Sequence, residues 1–199
     1  MKTKVILAFT LALVLSVSAM AGCSKKPTED VTSSAPPSSE APKKAQSGQL
    51  TAIYEDMLKE VFGEEQQRFM LNEDAVQIKE LTGMDVSSDA VKEYIYAMPM
   101  MNVQFQIFVG VEAAEGKVAD VEAMLNSYKD KVLAEKEAFP YVDFGLEKAR
   151  GAKVITVDNY VFYVCIANPE FNPDVELKQA DIDAQIEETI KVIKESIKY

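Results

Sequence analysis

Four stretches of the chain repeat apolar residues every three or four positions, which is the spacing of an amphipathic helix. The first begins at Leu50 and ends near Gly63, and a weaker second stretch covers residues 73–81. A long third helix begins at Gly116, and Pro140 marks its far limit because proline does not continue a helix.

The fourth stretch, near the C-terminus, has the clearest helical pattern. Asp181 is predicted as its N-cap or as a first-turn residue, and lysines concentrate towards its end, which suits the helix dipole. Its apolar face is a stripe of isoleucines at Ile182, Ile186, Ile190, Ile193 and Ile197. This pattern predicts an amphipathic helix that covers a core with one face.

Other stretches alternate with the period of a strand. Apolar residues from Val103 to Val111 alternate with Gln104 and Gln106, which predicts a half-buried strand. The preceding stretch, residues 91–98, is either the hairpin partner of this strand or the end of a helix that begins at Ser88.

Two further strands are predicted at residues 153–157 and 160–167. Asp158-Asn159 between them suits a tight hairpin turn. The second of these strands is apolar on both faces, so we expect an inner strand that is covered on both sides. Together these elements predict an α+β fold over residues 50–199. It has a small, mostly antiparallel sheet of three to four strands, packed with helices that include a long central helix and the C-terminal amphipathic helix.

The first 22 residues have the pattern of a secretory signal. Lys2 and Lys4 precede an apolar run from Val5 to Val17, which is too short for a comfortable membrane span. The run ends in small residues before Cys23, and this ending resembles the lipobox of bacterial lipoproteins. The resemblance implies cleavage before Cys23 and a diacylglyceryl group on its sulfur, which makes residues 1–22 a lipoprotein signal peptide.

Residues 23–49 are rich in Ser, Pro, Lys, Glu and Ala and show no apolar periodicity. Such a composition buries too little apolar surface to offset the entropy of ordering the chain. We therefore expect a lipidated cysteine followed by a disordered tether, and a single folded domain from Leu50 to Tyr199.

Composition excludes several functions. The chain has 21 basic and 32 acidic residues, a net charge of −11, and residues 50–199 alone carry 15 basic and 29 acidic residues, a net of −14. Nucleic-acid binding needs clustered Lys and Arg, so no nucleic-acid partner is expected. The absence of histidine removes Ser-His-Asp triads and the usual zinc sites, and no cofactor is expected.

The remaining chemical candidates are few. Cys165 lies in an apolar strand without a histidine partner, so we interpret it as a core residue. Asp181 and Asp183 have the spacing that begins a calcium-binding loop, but the glycine that such a loop needs is absent. We therefore interpret the two carboxylates as solvated groups at the end of a helix. Three methionines at Met98, Met100 and Met101 suit a soft metal, although core packing is the preferred interpretation.

One loop carries three aromatic side chains close together. Phe139, Tyr141 and Phe144 either pack over the edge of the sheet or remain partly exposed as a recognition patch. These three residues are the predicted recognition site, and Cys23 is the predicted lipidation site. No catalytic or metal-binding residue is assigned.

Several of these features occur together in one family. The lipobox, the Ser/Pro tether, Met98-Pro99-Met100-Met101 before the alternating strand, the helix from Gly116, and Gly151-Ala152-Lys153-Val154-Ile155 before Asn159-Tyr160-Val161 resemble bacterial lipoproteins of the domain of unknown function 4358, common in Clostridia. The resemblance spans about residues 53–167. It implies an envelope lipoprotein with the α+β fold and brings no activity.

The resulting hypothesis is a noncatalytic module, anchored by lipid on Cys23 to the extracytoplasmic face of the cell membrane. Its further partner is an envelope protein or a small ligand. The alternative is a carboxylate-dependent hydrolase acting on cell-wall glycans. That alternative requires a cleft with two carboxyl groups about 5 to 9.5 Å apart.

Overall fold

The computed structural model describes residues 45–63, 69–100, 105–139, 145–167 and 178–199. The elements in these ranges, in chain order, are α1 (Leu50–Phe62), β1 (Phe69–Leu71), α2 (Ala75–Thr82), β2 (Val91–Pro99), β3 (Ile107–Ala113), α3 (Val118–Ala138), α4 (Gly145–Gly151), β4 (Lys153–Val157), β5 (Tyr160–Cys165) and α5 (Gln179–Ser196). Among these helices, none combines the length and the apolar character that crossing a bilayer requires.

The described strands form one sheet in the order β1-β2-β3-β5-β4, and every neighbouring pair is antiparallel. A sheet of this kind packed with helices confirms the predicted α+β class. The expected three to four strands fall short of the five observed because β1 was missed. It has only three residues, too few to show an alternating pattern, and it pairs with the end of β2.

The structure decides between the two alternatives for residues 91–98. They form strand β2, which pairs with β3 and places Ala97 opposite Phe108. The alternative, the end of a helix begun at Ser88, is wrong.

Val103 and Gln104, at the start of the alternating strand predicted from Val103 to Val111, lie outside the described residues. The observed strand β3 begins at Ile107 and extends to Ala113, and all seven of its residues are buried. The expectation of one polar face is wrong because helices cover both sides of this strand. Gln106, just before it, is also buried, and its amide donates to the carbonyl of Ala167 (3.1 Å).

The C-terminal hairpin agrees closely with the sequence. β4 has the predicted bounds, and a turn at Asp158-Asn159 leads into β5. β5 lies between β3 and β4 and all six of its residues are buried, so the prediction of an inner strand is confirmed.

Helices cover both faces of the sheet. One hydrophobic cluster joins α1 and α5 to sheet residues such as Phe108 and Phe162, and the other joins α2 and α3 to residues such as Val109 and Tyr163. The isoleucine stripe predicted for the C-terminal helix is buried in α5 at Ile182, Ile186, Ile190 and Ile193. The long helix α3 likewise buries Val121, Leu125, Tyr128 and Val132.

Two glycines allow close packing. A Cβ atom at Gly110 in β3 would stand 2.9 Å from the Cδ1 atom of Leu50, so α1 lies directly on this strand. Helix α4, which the sequence analysis missed, ends at Gly151, where a Cβ atom would stand 2.7 Å from the carboxylate of Asp183. Both contacts bring a helix against the backbone of another element.

The five residues before α1, here named the N-terminal segment (Ala45–Gln49), are held by hydrogen bonds. The amide of Ala45 donates to Asp158 (2.9 Å), and the amide of Gln46 donates to the carbonyl of Lys198 (3.0 Å). The boundary drawn at Leu50 between tether and domain thus separates residues that the structure packs together.

Candidate functional site

The structure describes one of the four predicted site residues. Phe139 ends helix α3, and its side chain is 71% exposed. Tyr141, Phe144 and Cys23 lie outside the described residues. The aromatic recognition patch and the lipidation site therefore stay predictions.

The metal candidates have structural partners of their own. The carboxylate of Asp181 accepts from the amide of Lys178 in the first turn of α5, and that of Asp183 accepts from Gln179 (2.8 Å). Met98 packs against the core, Met100 is exposed, and Met101 lies outside the described residues. Within the described ranges, no three His, Cys, Asp or Glu side chains are placed to hold a metal ion.

Cys165 is a core residue, as its apolar neighbours predict. It is fully buried in β5, and this burial raises the pKa of its thiol to about 12, against smaller opposing effects from Tyr163 and Lys148. A nucleophilic cysteine must be present as the thiolate. Cys165 is protonated at neutral pH and is not placed for nucleophilic chemistry.

Three buried tyrosines meet between α3 and the sheet: Tyr128 of α3, Tyr96 of β2 and Tyr163 of β5. The hydroxyls of Tyr96 and Tyr128 are 3.1 Å apart, and the rings of Tyr128 and Tyr163 meet edge to face with centroids 5.4 Å apart. Burial raises the pKa of all three phenols. The three phenols remain neutral at physiological pH, and the contacts between their rings hold α3 against the sheet.

Glu112 is a buried carboxylate at the end of β3, with 1% of its surface exposed. It accepts hydrogen bonds from Lys92 Nζ (2.7 Å), the amide of Gly48 (3.0 Å) and Asn159 Nδ2 (3.1 Å), and also from the hydroxyl of Ser47. Burial raises the pKa of this carboxyl, but the bonds from Lys92, Ser47 and Gly48 together outweigh it and hold the pKa below its usual value.

The contacts of Glu112 are structural. A carboxylate surrounded by donors stays ionised and is a poor proton acceptor for catalysis. Two of its partners belong to the N-terminal segment, so Glu112 fixes this segment to the sheet.

A groove runs between the end of α1 and the middle of α5, with a cavity volume of about 260 Å³. We name it the α1–α5 groove and define it by its lining residues: Glu60, Val61, Gln185, Glu188, Thr189 and Val192. The four α5 residues follow the three- and four-residue spacing that places side chains on one helix face. The isoleucine stripe lies on the adjacent face of α5, and Thr189, at the border between the two faces, is itself buried.

The polar atoms of the groove are mainly acceptors. Glu60 and Glu188 are exposed to water, and Glu188 forms an exposed ion pair with Lys191 (3.3 Å). The Oε1 atom of Gln185 is buried and has no hydrogen-bond partner among the described residues. The hydroxyl of Thr189 donates to the carbonyl of Gln185 (3.0 Å). The acceptors that the groove exposes to a ligand are therefore the carboxylates of Glu60 and Glu188.

Neither Glu112 nor the groove was singled out from the sequence. Glu112 had a signal, since it is the one charged residue in the apolar run from Ile107 to Ala113. The groove had none, because Glu60 and Glu188 are far apart in sequence and each resembles any other exposed helical glutamate.

Comparison with known families gives one match. The family model described as Domain of unknown function (DUF4358) matches residues 65–166, about half of the chain. The matched range includes every described strand together with α2, α3 and α4, while α1 and α5 lie outside it. No curated protein and no solved structure matches the chain.

Proposed function

The chain belongs to the family described as Domain of unknown function (DUF4358), and we propose that this member is a lipid-anchored protein of the bacterial cell envelope. In this proposal the folded domain binds a ligand and performs no reaction on it. The observation that carries the anchor is Cys23, placed directly after a signal-like segment. The observation that carries binding is the α1–α5 groove.

The anchor is supported by the order of residues at the N-terminus. Lysines, a short apolar run and the small residues Ala21 and Gly22 lead to Cys23, as in a lipoprotein signal. Two acyl chains on a cysteine give stable membrane attachment, whereas one chain is marginal. The lipid is then the membrane partner, and the domain lies on the extracytoplasmic face of the cell membrane.

The groove lies away from the point at which the chain enters the described residues. The chain from Cys23 reaches the described domain at Ala45, beside Asp158 and Lys198. Glu60 follows Gln49 by eleven residues along α1, which corresponds to about 16 Å of helix. The groove thus lies near the end of α1 that is farther from Ala45, where the chain enters the described domain.

A second candidate function is the carboxylate-dependent hydrolase, because Glu60 and Glu188 both line one groove. Glycoside hydrolysis also needs one carboxylic acid that is kept protonated by an apolar environment. Both glutamates are exposed, and Glu188 is paired with Lys191. These surroundings favour binding over hydrolysis.

Fatty-acid labelling tests the anchor. In a bacterium that processes lipoproteins, the full chain should incorporate labelled fatty acid and lose residues 1–22. Cys23→Ala should abolish both, because it removes the sulfur that forms the thioether. Cys165→Ala is the matched control, since Cys165 is the only other cysteine in the sequence. Labelling that survives Cys23→Ala overturns the anchor.

Turnover assays test the absence of catalysis. The full chain should release no product from peptidoglycan or from chromogenic glycosides. Turnover that is lost in Glu60→Gln or Glu188→Gln, but kept in Glu55→Gln, would establish the hydrolase instead. Glu55 is an exposed glutamate of α1 that does not line the groove.

A further inference from the structure

We propose that acid releases the N-terminal segment from the domain: the segment lies on the end of the sheet while Glu112 is ionised, and it detaches when Glu112 takes up a proton. The sheet itself stays folded. The burial of the segment, its hydrogen bonds and its place in the chain each contribute to this inference.

The segment is held with little burial of apolar surface. Ala45 is its one buried residue, the next three residues are exposed and Gln49 is half-buried, whereas Leu50 at the start of α1 is fully buried. Parts of a fold that make few buried apolar contacts open at lower free energy than the core does. The segment is therefore able to detach while α1 and the sheet keep their structure.

Glu112 takes two of the hydrogen bonds that hold the segment. Its carboxylate accepts from the amide of Gly48 (3.0 Å) and from the hydroxyl of Ser47. An ionised carboxylate is the stronger acceptor, and a protonated carboxyl carries a donor on one of its oxygens. Protonation of Glu112 thus weakens both bonds at once.

Other bonds of the segment are exchanged for bonds to water when it detaches. The amide of Ala45 donates to Asp158 (2.9 Å), which is exposed, and the carbonyl of Gln46 accepts from the hydroxyl of Tyr160 (2.6 Å). Exchanging a hydrogen bond within the protein for one to water has a small net free energy. These bonds help to hold the segment at neutral pH without preventing its release.

Charged and titratable groups surround Glu112 on the sheet. Lys92 of β2 donates to it (2.7 Å), and so does Asn159 of the turn (3.1 Å). The bond to Glu112 raises the pKa of Lys92, and burial raises the pKa of Tyr160 in β5, so in acid Lys92 stays charged and Tyr160 stays neutral. Glu93, also in β2, is a further carboxylate that acts on both of them and therefore needs a control.

Release of the segment and protonation of Glu112 are linked. In the closed state the bonds from Ser47 and Gly48, together with Lys92, hold the pKa of Glu112 below its usual value against the effect of burial. Detachment removes the first two bonds, so the pKa of Glu112 is higher in the open state. A group whose pKa is higher in the open state takes up a proton on opening, so opening becomes more favourable as pH falls.

The place of the segment in the chain gives its release a consequence, which rests on the proposed function. The chain from Cys23 reaches the described domain at Ala45, so release adds five residues to the predicted tether, at most about 17 Å of extended chain. In the anchored protein, acid thus lets the domain move farther from the membrane. It also frees Glu112 and the hydroxyl of Tyr160 from contact with the segment.

Hydrogen exchange of the full chain in nonionic detergent tests the release. Mass spectrometry gives the protection factors of residues 46–49 and of β5, each relative to an unstructured chain at the same pH. At about pH 7 we expect protection of about thirtyfold in the segment and at least about a hundred times more in β5. From there to about pH 4 the segment should lose protection about three- to fivefold. Constant protection of the segment, or a segment as protected as β5, overturns the proposal.

Variants assign the effect to Glu112. Glu112→Gln should lower the protection of the segment at about pH 7 by about three- to tenfold and remove its change with pH. Ser47→Ala is the milder variant, since Ser47 is exposed, and should lower protection of the segment about two- to fivefold while β5 is unaffected. Unchanged protection of the segment in Ser47→Ala contradicts the proposal.

Three further variants are matched controls. Glu93→Gln and Glu115→Gln remove nearby carboxylates that do not contact the segment, and both should keep the change with pH. Asp158→Asn should keep it too, and asparagine tolerates the positive φ of 52° at this position. A change with pH that survives Glu112→Gln, or that one of the three controls removes, overturns the role of Glu112.

The outcomes separate this inference from the proposed function. If exchange shows no release in acid while Cys23 is still labelled with fatty acid, only the release is overturned. If labelling fails while exchange shows the release, the anchor is wrong and the property of the segment stands.

Discussion

Glu112 illustrates how a single charged side chain in an apolar strand organises its surroundings. Its carboxylate lies among donors from β2, from the turn between β4 and β5, and from the N-terminal segment. A buried carboxylate is tolerated when hydrogen bonds satisfy it, and its removal leaves those donors unpaired. The residue therefore joins three parts of the chain that are distant in sequence.

Replacing this carboxylate should weaken the fold. We expect Glu112→Gln to lower the free energy of unfolding by about 1–3 kcal/mol, because the amide loses the charge that Lys92 and Gly48 contact. Urea denaturation measures the change. Glu115→Gln, an exposed neighbour in the following loop, should stay within about 0.5 kcal/mol of the parent protein. Equal stability of the two variants would contradict the role of Glu112.

The same residue predicts a pH dependence. Because the pKa of Glu112 is lower in the folded protein than its usual value of about 4.3, its stabilising effect is complete above that value. The effect is lost as pH falls through the folded-state pKa. Stability of the parent protein should therefore fall more steeply than that of Glu112→Gln between about pH 5 and pH 3. If the free energy of unfolding of the two proteins changed with pH in parallel, this prediction would be contradicted. Asp85 and Glu187, whose pKa values are also lowered, are present in both proteins and cancel.

At the scale of elements, periodicity predicted the long helices and the C-terminal hairpin but not the exact extent of β3. Val103 to Val111 alternates as a half-exposed strand does, yet the observed strand is covered on both faces. Whether a face is covered depends on helices α1 and α5, which join this layer from opposite ends of the chain. The short elements β1 and α4 were not predicted for another reason, because each contains too few residues to show a periodic pattern.

Gly110 marks the closest approach between a helix and the sheet. A methyl group there would meet Leu50 at 2.9 Å and the rings of Phe108 and Phe162 at 3.2 Å. We expect Gly110→Ala to destabilise the protein by about 1–3 kcal/mol through overpacking. The measurement is the free energy of unfolding in a double-mutant cycle with Leu50→Ala.

The cycle isolates the contact between helix and strand. In the Leu50→Ala background the methyl group has more room, so Gly110→Ala should be less destabilising there. If the two substitutions are additive, the helix does not lie on β3 as closely as the structure places it.

At the scale of the whole molecule, the sequence predicted the fold class but not the candidate binding site. The class follows from local periods, each of which is visible in a few residues. The α1–α5 groove depends on how the end of α1 packs against the middle of α5. No pattern of apolar and polar residues within either helix indicates this contact. The family match over residues 65–166 does not reach either helix, so it adds nothing about the groove.

Local composition also did not indicate that residues 45–49 form hydrogen bonds with the domain. Residues 45–49 have the small and polar composition of the tether, but they bond to Asp158, Glu112 and Lys198. Gln49 links the two ends of the domain, because its side chain donates to the carbonyl of Lys198 (3.0 Å) and accepts from its amide (2.7 Å).

Comparing two fragments tests this boundary. We expect residues 50–199 to be less stable than residues 45–199 by about 2 kcal/mol, because Glu112 loses its hydrogen bonds from Ser47 and Gly48. Urea denaturation of both fragments gives the difference, and its slope reports whether both unfold with similar exposed surface. In the Glu112→Gln background the difference should shrink, since the charge that the N-terminal segment satisfies is gone. Fragments of equal stability would show that residues 45–49 contribute nothing to the fold, and that the domain begins at Leu50 as the composition alone suggests.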